Sequence, residues 1–278
     1  MNLPNQNYII LEPNSGLMCN KLFSVSFQIL MALRFGKSVS FSKFSTEEVQ
    51  NHAELLAAGY AGGENGSFNY FIDFSKLEIV DSPQEYPEHP DNKNQILINS
   101  SNLLDILAID QARSFDKDFR IQPHQFFQES IAAEYIRNNR EKIFHKWLIE
   151  DTTEGIFIHY RLGDIAEDDR AVHVKHFEKA VTSIPDYENL PKYISSDSPH
   201  DPRVKKLRND YGFSIHQSSA IETVLFGSRF TNKLISFGTF SWFIGIFGSQ
   251  NNVIIPNKSD YPTWCGDIFT FDDWHELV

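Results

Sequence analysis

The feature that most narrows the fold is an alternation through the second half of the chain, in which short apolar, β-rich runs are separated by segments of helical period. Such alternation marks βαβ units and therefore a parallel sheet covered by helices. Strands are predicted over Gly155–Tyr160 (GIFIHY), Lys192–Ser195, Phe213–His216, Lys233–Ser236 and Asn252–Ile255, the last stopped by Pro256. Helices are predicted over Val174–Ile184, from Asp201 to Gly212, and over Ser219–Phe230 and Phe240–Phe247. Pro202 early and Gly212 just past the end give the second of these a start and a stop. Ser219, with Glu222 three residues on, is a capping-box pattern for the third. This is a nucleotide-binding type of half.

The first half opens in the same way, with a strand over Tyr8–Leu11, the loop EPNSGLMC, an apolar-faced helix over Asn20–Arg34 closed by Gly36, and a strand over Ser38–Phe41. Two loops follow, GYAGGENG between Gly59 and Gly66 and the proline-broken Pro83–Asn94, both suited to the edge of a site. A strand is predicted over Gln95–Ile98, a helix over Leu103–Ala112 capped from Asn99–Ser101, and a long helix or helix pair over Gln125–Ile149 as connector. At 278 residues the chain is about 1.9 times the ~150-residue guide length of a domain. Two α/β units are therefore expected, residues 1–145 and 146–278, facing a central cleft.

Composition bounds the partners. Asp and Glu number 37 against 25 Lys and Arg, a formal charge of −12 that repels polyanions and argues against general electrostatic binding of nucleic acid or anionic membrane. The two cysteines, Cys19 and Cys265, make no disulfide framework, which suits a reducing compartment. The N-terminal segment lacks a cationic region followed by an apolar core, and Leu234–Gly248 is too short and too broken by Gly and Ser to span a bilayer. A cytoplasmic protein with no membrane span is the expectation. The 38 aromatic residues are mostly core, although such rings also stack on sugar faces.

Chemistry concentrates in FIHYRLGDI, Phe157–Ile165, where a buried strand ends in His159, Arg161, Gly163 and Asp164. Sites in open α/β sheets lie at such strand ends. An arginine there presents a fork to phosphate, Gly163 permits close backbone approach, and Asp164 orients the arginine or a ribose hydroxyl. An Arg/Asp pair closing a turn is the plain structural alternative.

HYRLGD resembles the His-x-Arg-Arg-Gly-Asp motif of the α-1,2-fucosyltransferases and their wider superfamily. Other segments fall in the same order: GLMCNKLF (Gly16–Phe23) is similar to the N-terminal Gly-x-x-Gly-Asn-x-x-Phe loop, followed by Gly36-Lys37. YISSDSP (Tyr193–Pro199) resembles the Phe-Ser-Asp-Asp strand end. LISFGTFSWF (Leu234–Phe243) is similar to the Ser-Ser-Phe-Ser-Trp-Trp segment, with Glu222 where the family has an acidic residue opening its helix. VIIP followed by DDWHEL resembles the last strand and closing Asp-Trp. The resemblance covers residues 8–41 and 155–275.

It implies a GT-B-like fold of two Rossmann-type halves, no required metal or other cofactor, and inverting transfer of a sugar from a nucleotide-diphosphate donor to a glycan hydroxyl. The C-terminal half is then the donor side and the N-terminal half the acceptor side. Arg161 and the helix start at Thr239, Phe240 and Ser241 would hold the leaving pyrophosphate. Ser196 and Asp197 would bond the nucleoside, Asn20 and Lys21 the phosphates or the sugar, and Asp164 the donor side. Helix capping by Thr239 and Ser241, and a turn formed by Asp197 before Pro199, are the structural alternatives. The family's second motif arginine is Leu162 here and the second glycine of its N-terminal motif is Cys19. These departures bring in a branch encoded by large algal viruses that includes xylosyltransferases, so the donor is UDP-xylose or GDP-fucose and the chain acts in a host cell if virus-encoded.

Inverting transfer needs a base, and a carboxylate in apolar surroundings has the raised pKa that suits one. Asp73, within FNYFIDF, is the first candidate and His159 the alternative; a capping or solvating role is the bland reading of Asp73. Asp116-Lys117-Asp118 has the form of the metal-binding Asp-x-Asp of other glycosyltransferases but reads as a solvated turn. His173 and His176 have helical spacing without a third ligand, no Gly-x-Ser-x-Gly elbow is present, and Cys19 is either a reactive thiol near Lys21 or a core residue. The rival functions are a non-catalytic glycan- or nucleotide-binding module of the same fold, and a hydrolase using His159 and Asp164.

Overall fold

The computed structural model describes residues 8–11, 18–41, 68–78, 95–98, 118–121, 129–165, 171–248, 252–260, 268–269 and 271–277. The chain divides into two compact units, Met1–His145 and Lys146–Val278.

In the first unit, β1 (Tyr8–Leu11) pairs in parallel with β2 (Ser38–Phe41), and β3 (Gln95–Ile98) with β4 (Asp118–Ile121). Helix α1 (Met18–Arg34) crosses between β1 and β2 and is buried along almost its whole length, including Ser24 and Gln28, whose amide donates to the Ser24 hydroxyl at 3.0 Å. It starts two residues earlier than expected, so Asn20 and Lys21 lie in its first turn rather than in a loop. Asp118 opens β4, a strand that the reading of Asp116–Asp118 as a turn did not anticipate. The glycine-rich and proline-broken loops and the helix over 103–112 lie outside the described residues.

The connector differs from the long helix expected over Gln125–Ile149. Helix α2 (Ser130–Asn138) stops at Asn139, a 3-10 turn spans Arg140–Lys142, and α3 (Trp147–Glu150) begins only in the second unit. Between them the chain pairs with an earlier segment: Phe144 bridges Ile72, the His145 N–H donates to Phe71 O, and the Asp73 N–H donates to Ile143 O. Lys76 Nζ donates to the carbonyls of Glu141 and Phe144 at 3.1 and 2.6 Å. These long-range partners satisfy the backbone that a continuous helix would have satisfied itself, and helical propensity is the weaker term.

The second unit is a six-stranded sheet in the order β10-β9-β8-β5-β6-β7, parallel throughout. Its strands are β5 (Thr153–Tyr160), β6 (Lys192–Ser196), β7 (Ser214–Ile215), β8 (Phe230–Ile235), β9 (Asn252–Ile255) and β10 (Trp274–Glu276). The first three step outward one way from β5 and the last three the other way from β8, which is the doubly wound arrangement. Right-handed crossovers then put α4 (Val174–Ser183) and α5 (Pro202–Tyr211) on one face and α6 (Ala220–Ser228) and α7 (Thr239–Ile246) on the other. β5 is central and buried from Gly155 to Tyr160, the reason GIFIHY is a continuous rather than an alternating apolar run.

The predicted signals are in place. Asp201 caps α5 through the Arg203 N–H, Pro202 opens it, and Gly212 ends it in the left-handed region at φ 77°. Ser219 and Glu222 close the capping box of α6. β7 is half the length expected, and β10, which completes the sheet, had no strand prediction. Among the described residues no helix is long and apolar enough to cross a membrane.

Candidate functional site

The reversal of strand order falls between β5 and β8, so their carboxyl ends border the crevice in which doubly wound sheets bind ligands. His159, Tyr160, Arg161, Leu162 and Gly163 leave β5 there, and Ser236, Phe237 and Gly238 leave β8 to start α7.

The two strand ends are tied together. Ser236 Oγ donates to His159 O at 3.0 Å and accepts the Arg161 N–H at 3.0 Å. From β6 on the other side, Asp197 Oδ1 accepts the N–H groups of Leu162 at 2.8 Å and Gly163 at 2.9 Å. Three successive backbone donors, residues 161–163, are thus all taken by side chains from the flanking strands. Gly163 is required for this: a Cβ there would lie 2.5 Å from Asp197 Oδ2. The close approach that the sequence assigned to a ligand is made by the protein's own carboxylate.

His159 is 8% exposed. Its Nδ1 shares a hydrogen bond with Ser241 Oγ at 2.6 Å, and its ring stacks on Phe240 with centroids 4.7 Å apart. Burial pushes its pKa down to about 4, Arg161 adds to that, and Asp197 opposes it. The imidazole is therefore neutral near pH 7 and unsuited as a base, whose pKa should approach the working pH. Ser241 is fully buried, which removes it as an accessible nucleophile.

Helix α7 is preceded by Gly238, whose φ of 119° demands glycine and which has no side chain to cap it. Thr239 is buried in the first turn, and Ser241 is spent on His159 rather than on capping. Arg161 is half-buried at the loop, whereas Leu162 is wholly buried, so the position of the family's second arginine is a core position here. Ser196 Oγ accepts the Ser198 N–H at 3.1 Å and shapes the turn. Asp164 lies in the 3-10 turn Gly163–Ile165, and its side chain is outside the described residues.

The remaining candidates belong to the first unit. Asp73 does not sit in apolar surroundings as expected. It caps the 3-10 turn Phe74–Lys76, accepting from Ser75 Oγ at 2.6 Å and Ser75 N at 3.2 Å, with Lys76 Nζ at 3.7 Å. The Ser75 hydroxyl foremost, with His145 and Lys76, holds its carboxyl below the usual range rather than above it. Asn20 and Lys21 are half-buried in the first turn of α1. Cys19 is buried, and desolvation pushes its thiol far up, so it is a core residue and not a reactive one. Among the described residues no three His, Cys, Asp or Glu side chains gather as a metal site.

Sequence reading missed Ser236, although a serine closing an apolar strand two residues before a glycine was a usable sign. It also missed a polar cluster after β7, where His216 Nε2 bonds Ser218 Oγ at 2.8 Å and lies flat on Phe226 at 4.0 Å.

The second unit defines a doubly wound α/β domain with an arginine and a glycine-started helix at its switch point. No protein-family model matches the chain, and no curated protein matches it by sequence. Two solved structures are similar. One is the α-1,6-fucosyltransferase NodZ, from a crystal soaked with GDP-fucose, at 9% identity and TM-score 0.46 over 87% of this chain and 93% of that one. The other is POFUT1 in complex with GDP, at 9% identity and TM-score 0.48 over 88% and 96%.

Proposed function

We propose that the protein is an inverting glycosyltransferase that moves fucose from GDP-fucose or xylose from UDP-xylose to a glycan hydroxyl, in the cytoplasm and without a required metal. The observation that supports this reading is the meeting of Arg161 and the glycine-started α7 at the switch point of the second unit. A leaving nucleoside diphosphate needs fixed positive charge, and a guanidinium together with backbone N–H groups at a helix start supplies it. The motif resemblance of the same segment adds the sugar-transfer chemistry.

In the reaction the acceptor oxygen bonds to the anomeric carbon, the bond from that carbon to the diphosphate oxygen breaks, and the acceptor proton passes to a base. Arg161 and the first turn of α7 take the charge that develops on the diphosphate. Neutral His159, fixed by Ser241 and Phe240, offers a hydrogen-bonding edge on the donor side. Asn20 and Lys21, from the first unit, bind the donor phosphates or the sugar, and Asp73 belongs to the acceptor side. Asp73 is ionised at neutral pH and accepts a proton only as a weak base; unchanged turnover in Asp73→Asn removes it from the chemistry.

Thermal unfolding with GDP, UDP or ADP, each with and without Mg²⁺, tests the reading. A ligand at a hundred times its Kd stabilises by about 2.7 kcal/mol, a shift of several degrees. Stabilisation by GDP selects GDP-fucose and by UDP selects UDP-xylose, to be followed by mass-spectrometric detection of transfer. No shift with any nucleotide overturns the proposal. Binding without turnover of either donor supports the non-catalytic module instead, the reading favoured by the buried Leu162.

A further inference from the structure

We infer that Asp197 is a positioning residue that locks the loop carrying Arg161, and not a ligand of the nucleoside. This rests on the proposed function in so far as Arg161 binds a diphosphate. Asp197 stands at the carboxyl end of β6, next to β5, where doubly wound sheets commonly place an acid for a ribose hydroxyl. Here the same oxygen accepts two successive N–H groups of the neighbouring loop, Leu162 at 2.8 Å and Gly163 at 2.9 Å.

Backbone N–H groups that converge in this way form an anion-binding concavity. In this chain the anion is a side chain from the adjacent strand. Gly163 has no Cβ, and any other residue would put one 2.5 Å from the second carboxylate oxygen. The glycine and the aspartate are therefore one device. Ser236 holds the Arg161 N–H from β8, so residues 161–163 are gripped from both sides and the arginine backbone has no slack.

The test measures binding of GDP, UDP, pyrophosphate, guanosine and uridine by calorimetry in wild type, Asp197→Ala, Asp197→Asn, Gly163→Ala and Arg161→Ala, and in the Asp197→Ala/Arg161→Ala double variant. Amide hydrogen exchange at Leu162 and Gly163 is followed in parallel. Losing a charge-assisted latch is expected to weaken pyrophosphate and the bound nucleoside diphosphate alike by about tenfold, and to leave the nucleoside unaffected. Asn keeps an acceptor oxygen and should rescue most of the affinity, whereas Gly163→Ala expels the carboxylate and should mimic Asp197→Ala, which covers the case in which Asp197→Ala fails to fold.

In the Arg161→Ala background Asp197→Ala should cost little more, since it acts through the arginine. Unchanged pyrophosphate affinity, selective loss of nucleoside binding, or fully additive losses would each overturn the inference. If wild type binds none of the five probes the proposed function fails, and exchange alone then decides the latch. Faster exchange at Leu162 and Gly163 in Asp197→Ala upholds it, and unchanged exchange overturns it.

Discussion

Arg161 and His159 lie two residues apart on one strand end and answer to different physics. Arg161 is half-buried and always charged, so its removal should weaken the bound nucleoside diphosphate by roughly 1.5 to 3 kcal/mol, read by calorimetry as a rise in Kd of about 10- to 150-fold. His159 contributes through burial. Its folded pKa of about 4 lies below the ordinary 6.5, so as pH falls the unfolded chain takes up the proton first. The stability from keeping it neutral is complete above pH 6.5 and lost toward pH 4. At pH 5 the loss from this residue should be about 2 kcal/mol in urea unfolding. His159→Gln should flatten that part of the pH dependence, and an unchanged slope would show that the ring is hydrated in solution.

At the scale of elements, the helices are fixed by local signals at their ends and by close packing along their faces. The capping box of α6 is local; Ser219→Ala should cost about 1 kcal/mol, seen as a lower urea midpoint with unchanged slope. Gly227 in the same helix is a packing residue, because a Cβ there would overlap the Phe157 ring on β5. Glycine to alanine ordinarily strengthens a helix by up to about 1 kcal/mol. Here overpacking against the central strand should outweigh that and destabilise by about 1 to 3 kcal/mol in the same measurement. The Ser219–Glu222 box and the Pro202–Gly212 bracket were legible because capping depends on residues a few positions apart. The break after Asn138 was not, because the donors and acceptors that replace helical bonds come from residues 71 to 76.

At the scale of the whole molecule, the second unit holds a complete doubly wound sheet with helix pairs for both faces. A fragment of residues 146–278 should therefore fold and bind the same nucleoside diphosphate as the full chain, with no product formed from the sugar donor. Binding by calorimetry and circular dichroism of the fragment check this, and an unfolded fragment would tie the stability of the second unit to the first. The sequence by itself determined the α/β class, the order of strands and helices in this unit from β5 to β9 and the strand end that carries Arg161, since each follows from periodicity and turn chemistry over short spans. Only the tertiary structure decided that Leu162 is core, that Asp73 is held by Ser75 and that Asp197 grips the loop after β5. Asp197 and Leu162 are 35 residues apart in sequence, and what an aspartate does at such a distance depends on which strands pair. A chain's local pattern places the element; the partner of a polar side chain is chosen only when the sheet closes.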